Sequence, residues 1–177
     1  MHFVILFIMK IYLTNLKGAR RMKALVLFYS WHGNTKKMAE LIAKETGADI
    51  FAIEPVEAYS TNYLMCVGQA GYELKISSIR EIKAVPENFA DYDTIYLGSP
   101  IWWGSLACPM FKALEKLDFT GKKVYPFCTH GGGGEDKFPA DVVRLCKGAT
   151  VGKTFVVKLL GKGTLEEDLL AWIKNNL

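Results

Sequence analysis

The sequence predicts an α/β fold, a doubly wound parallel sheet of five strands with helices on both faces. Two observations predict it. Short apolar runs that end at turn residues alternate with amphipathic stretches, the pattern of βαβ units. No linker, repeat or low-complexity segment interrupts the 177 residues, a length that suits one domain.

Lys23–Tyr29 is an apolar run without alternation, as expected of a strand buried on both faces. In Lys36–Thr46, Met38, Ala39, Leu41, Ile42 and Ala43 follow helical spacing, and Gly47 marks the stop. Asp49–Ile53 reads as the second strand, closed by Glu54-Pro55. Between residues 56 and 90, Tyr63, Val67, Ala70 and Leu74 form a helical stripe that Gly68 and Gly71 weaken. Tyr59, Tyr63 and Tyr72 read as pocket-lining or half-buried packing residues. Asp93–Gly98 is the third strand, and Pro109–Leu117 a helix with Met110, Phe111, Leu114 and Leu117 on one side. Lys123–Cys128 is the fourth strand and Ala140–Cys146 a short helix. Lys153–Val157 is the fifth strand and Leu165–Asn176 the closing helix.

The net charge of +4 is confined to one end. Lys10, Lys17, Arg20 and Arg21 supply it, leaving 18 basic and 18 acidic residues from Met22 onward. The body carries no nucleic-acid signature. Phe3–Met9 is too short for a bilayer span and lacks the flanks of a signal peptide, so no membrane span is expected. Lys17-Gly18-Ala19 can be encoded by a purine run resembling a ribosome-binding sequence shortly before Met22. Residues 1–21 are therefore expected to be an N-terminal extension from a mis-called start, and 22–177 the domain. Cys66, Cys108, Cys128 and Cys146 are widely spaced, with no C-x-x-C pair. Reduced, buried thiols in a cytoplasmic protein and no metal site are expected.

In a doubly wound sheet, ligands bind beyond the carboxyl ends of the strands. Three unusual loops fall on that edge. Ser30-Trp31-His32-Gly33-Asn34-Thr35 joins the first strand to the first helix, where unpaired N–H groups and the helix dipole favour an anion. It has no lysine and is no Walker loop, so neutral donors suit a single terminal phosphomonoester. The alternative is a polar connection capped by Asn34 or Thr35. Pro100-Ile101-Trp102-Trp103-Gly104 offers an aromatic wall, and Thr129-His130 followed by Gly131 and Gly132 offers exposed backbone. Together these describe a flat aromatic ligand carrying one phosphate. No carboxylate pair or Ser-His-Asp order suggests hydrolysis.

With S-x-x-G-N-T, P-I-W-W-G and T-H-G-G in these places, the chain resembles the flavodoxin family over essentially all of 22–177. The resemblance implies a flavodoxin-like sheet of order 2-1-3-4-5 holding FMN non-covalently. It assigns Ser30, Trp31, His32, Gly33, Asn34 and Thr35 to the ribityl phosphate. Pro100, Ile101, Trp102, Trp103 and Gly104 match the first isoalloxazine loop, and Thr129, His130, Gly131 and Gly132 the second. By the same resemblance the Gly104 carbonyl faces flavin N5. The adjacent tryptophans should point opposite ways, one toward the flavin. His130 is expected at the pyrimidine edge, as a proton donor to substrate, or as a surface residue.

Two departures stand out. His32 replaces the usual loop hydroxyl and, protonated, would add positive charge near the phosphate. The neutral body, Ser105 after Gly104 and the all-glycine second loop lack the acid usual beside the flavin of carrier flavodoxins, implying a less negative potential. The functional expectation is an FMN redox protein that mediates electron transfer with a partner protein. The alternative is an NAD(P)H-dependent FMN oxidoreductase reducing a quinone or similar small acceptor. A phospho-receiver is excluded because Ser30 stands where its acidic cluster begins.

Overall fold

A computed structural model describes residues 22–132, 134, 136–158 and 165–176. The expectation of an artefactual extension at 1–21 lies outside the described residues. Strand β1 (Ala24–Phe28) runs parallel to β2 (Asp49–Ala52) on one side and to β3 (Thr94–Trp102) on the other. Beyond β3 lies β5 (Lys123–His130), followed by two edge pieces, β6 (Thr150–Val151) and β7 (Phe155–Lys158). The two-residue β4 (Ser105–Leu106) folds back antiparallel on the end of β3. The expected order holds, with the fourth sequence-predicted strand as β5 and the fifth as β7, and β6 is a short additional piece on the same edge. Between β6 and β7, Gly152 lies so close to Tyr125 that a Cβ there would meet its ring at 2.5 Å.

The apolar run of β1 is buried on both faces by strict alternation. Leu25, Leu27 and Tyr29 enter one core, Val26 and Phe28 the other. The first core is covered by α2 (Tyr63–Ile76), α3 (Cys108–Glu115) and α4 (Phe138–Leu145). The second is covered by α1 (Asn34–Thr46) and α5 (Leu165–Lys174), which contact each other. Helix α1 buries Met38, Ala39 and Ile42 and ends where the Gly47 N–H donates to the Ala43 carbonyl at 2.9 Å. Helix α2 forms despite its two glycines. Asn62 caps it, its side chain accepting from the Met65 N–H at 3.2 Å. All four cysteines are buried thiols. No described helix is long and apolar enough to cross a membrane.

Strand β3 is longer than the sequence suggests, running through Pro100 to Trp102. Its register with β5 aligns Ser99 with Cys128 and Pro100 with Thr129, and Phe28 of β1 lies opposite Gly98. Three adjacent strands therefore end within a few residues of one another, and their three loops open on one edge.

Candidate functional site

The first loop is shaped by one glycine. Gly33 sits at φ +84°, where a side chain is strained, and it occupies the cap position just before α1 without a side chain to bond the first turn. The expected cap by Asn34 or Thr35 is therefore not formed; both residues lie inside the helix. Ser30 Oγ reaches across the loop to accept the Lys36 N–H at 3.2 Å, so its own proton is free to be donated. The first N–H groups of α1, ahead of Lys36, and the positive end of its dipole thus lie at the sheet edge.

Thr35 ties this loop to the third. Its Oγ1 lies 2.9 Å from Thr129 Oγ1, and both residues are buried. Next to Thr129, His130 accepts the Gly134 N–H on Nδ1 at 3.0 Å. The neutral imidazole must then carry its proton on Nε2.

The second loop is a hairpin between β3 and β4 that turns at Trp103 (φ +52°) and Gly104 (φ +81°). The two tryptophans diverge as expected. Trp102 points inward, edge-on to Tyr29 (centroids 5.5 Å) and Tyr59 (4.8 Å) and 6.4 Å from Trp31. Behind it, the Tyr59 hydroxyl donates to Glu73 at 2.5 Å, Arg80 Nε donates to the same carboxylate at 2.6 Å, and the guanidinium lies 3.6 Å over the Tyr59 ring. Burial, then the Glu73 hydrogen bond, pushes the Tyr59 phenol well above its ordinary pKa. Trp103 instead lies outward, 61% exposed, its Nε1 donating to the Val67 carbonyl at 3.1 Å. It rests on Gly71 of α2, where a Cβ would come within 2.8 Å of its ring.

Between the loops is a cavity of about 480 Å³. Ser30, Trp31, His32, Asn34 and Thr35 line one end of it. Pro100, Ile101, Trp102 and Trp103 line another side, and Thr129, His130 and Gly131 a third. Gly33, Gly104 and Gly132 are not on the lining: the first acts through the loop's shape and the second through the hairpin turn. None of the described lining residues is Asp, Glu, Lys or Arg.

The remaining wall is α2, through Tyr63, Cys66, Val67 and Ala70. The stripe Tyr63-Val67-Ala70 in the sequence marks a helix face, and that face is this wall. Of the three tyrosines, Tyr63 lines the cavity. Tyr59 is buried beside a second hollow of about 300 Å³ behind Trp31, and Tyr72 is exposed and lines neither. Burial pushes the Cys66 thiol up to about 11, so it faces the cavity protonated.

The Gly104 carbonyl accepts the Lys137 N–H at 2.8 Å, which ties the hairpin to the start of α4. One expectation needs correction. The hairpin is not acid-poor: Asp136 lies so close to Gly104 that a Cβ there would collide with its carboxylate, and the Ser105 hydroxyl donates to Asp141. Both acids come from beyond the glycine run, where loop composition alone does not show them.

An uncapped helix start, a hydroxyl pair and divergent indoles around one cavity at the ends of adjacent parallel strands define an α/β protein of flavodoxin type. The chain belongs to the flavodoxin family, whose profile matches residues 23–176. Among solved structures, a Lactobacillus acidophilus flavoprotein in complex with FMN is 26% identical, with TM-score 0.69, covering 77% of this chain and 93% of that one. A candidate flavoprotein of Bacteroides uniformis is 27% identical, with TM-score 0.75, covering 86% and 98%. An uncharacterised protein of Methanocaldococcus jannaschii is 33% identical over 111 residues, 62% of this chain and 55% of its own length. The chain thus spans about half the length of that curated relative.

Proposed function

We propose that this protein is an FMN-binding electron-transfer protein. The observation that carries the proposal is the convergence of the three loops on one cavity whose described walls are neutral and aromatic. FMN is the cofactor: the donors at the start of α1, with Ser30 and Thr35, suit a phosphate, and Trp102 and Trp103 suit a flat ring. Bound FMN supplies one- or two-electron chemistry, while the protein sets its potential and access.

The chain's own residues divide the remaining work. Thr35 and Thr129 hold the phosphate loop to the third loop. Tyr29 and Tyr59 fix Trp102, and Asp136 places negative charge against the hairpin, while the Asp141 carboxylate that accepts from Ser105 is paired with Arg144 at 2.8 Å. Negative charge beside a ring that becomes anionic on reduction lowers its potential, which suits a carrier. Exposed Trp103 forms a rim that a partner protein can approach.

Anaerobic mixing of the FMN-loaded protein with NADPH discriminates the two classes. The carrier reading predicts that the visible spectrum persists with NADPH alone and bleaches once a flavodoxin-reducing reductase is added. Rapid bleaching by NADPH alone would overturn it in favour of the oxidoreductase.

A further inference from the structure

We infer that His32 is a proton-linked phosphate ligand, becoming an imidazolium when the FMN phosphate docks; this rests on the FMN reading above. A phosphomonoester near neutral pH carries between one and two negative charges, its second pKa being about 6. The α1 N-terminus offsets about half a charge. The described lining contributes no Lys or Arg, so the neutral donors of Ser30 and Thr35 leave the rest uncompensated.

His32 is built to make up the difference. Its ring lies flat on Trp31, with centroids 3.5 Å apart and planes at 17°. Trp31 is itself fixed, its Nε1 donating to the Ser60 carbonyl at 3.1 Å. An indole face favours a cation over a neutral ring, and the stack leaves both imidazole nitrogens at the edge. His32 is exposed, so protons exchange freely with solvent.

The other titratable groups around it do not take this role. On α1, Lys36 lies 3.8 Å from Glu40, and neither these two nor Lys37 lines the cavity. From α2 come the Tyr63 phenol, whose ring lies 6.3 Å from Trp31, and the protonated Cys66 thiol. From β5 comes His130, whose Nδ1 is occupied by the Gly134 N–H. Imidazole is the side chain whose ordinary pKa lets a bound anion switch its charge near neutrality.

The test is calorimetric titration of the full-length apo-protein with FMN at pH 7.5, in two buffers of different ionisation enthalpy, with riboflavin as the phosphate-free control. FMN binding is expected to take up a substantial fraction of a proton, and riboflavin binding none. In H32T the uptake disappears. Between pH 8.5 and 6.5 the wild type gains about fivefold in FMN affinity relative to H32T, the size of one exposed ion pair. The variant itself stays level or weakens, because free phosphate protonates over this range. Nitrogen NMR of the wild type reads the same event without a mutation, the imidazolium fraction at His32 at pH 7.5 being higher with FMN than without. FMN binding without proton uptake, or equal uptake by H32T, overturns the role of His32 and leaves the cofactor reading standing. Failure to bind FMN at any pH overturns both.

Discussion

Thr35 and Thr129 are separated by 94 positions yet share one buried hydroxyl contact of 2.9 Å. Replacing Thr35 by Val keeps the volume but leaves the Thr129 hydroxyl buried without this partner and removes a phosphate donor. FMN affinity is expected to fall by about 1–3 kcal/mol, measured by fluorescence titration; unchanged affinity would count against the loop assignment. The first loop was legible in the sequence because its chemistry is local: a strand, a left-handed glycine and a helix start are all encoded within Ser30–Thr35. Asp136 and Asp141 were not. They reach the Trp103-Gly104 hairpin from just before α4 and from its first turn, and nothing in P-I-W-W-G announces them.

At the scale of the element, α2 is the unexpected participant. Its stripe gives away a helix, but its role as a cavity wall depends on Trp103 folding across it from over thirty positions later. Gly71, which weakens the helix when read alone, is the position where that indole rests. Gly71→Ala separates the two effects. Helix propensity gains about 0.5–1 kcal/mol, so the melting temperature of the apo-protein should hold or rise slightly, while Trp103 is displaced and FMN affinity drops. Loss of both in parallel would show that Gly71 serves packing of the helix alone. Strand β3 shows the opposite bias. Its sequence reading stopped at Gly98, because Ser-Pro looks like a turn, whereas pairing with β5 carries it on through Pro100. Tertiary pairing overrides local propensity there.

Across the whole molecule, the alternation of elements implied the parallel, doubly wound sheet and the family resemblance its strand order, which sets the three loops side by side. The first core also sets a pH limit. Burial holds the Cys66 and Cys108 thiols up at about 11 and Cys146 at about 12, above their ordinary 9.0. The folded state thus keeps these protons longer than the unfolded chain. That stabilisation is complete below about pH 9 and is lost as pH rises through 11 to 12. Denaturant midpoints are expected to fall steadily from pH 9 upward, and mild alkylation at pH 8 should leave the cysteines unmodified until denaturant is added. Rapid labelling of the native protein would contradict the packing described for the first core, which holds all four cysteines.

The most direct measurement is titration of the purified full-length apo-protein with FMN and, separately, riboflavin, followed by flavin fluorescence. Three loops that seat a phosphate and a ring together predict saturable quenching by FMN at one equivalent, with riboflavin weaker by at least about tenfold. Unquenched FMN fluorescence, or equal affinity for the two flavins, would contradict it.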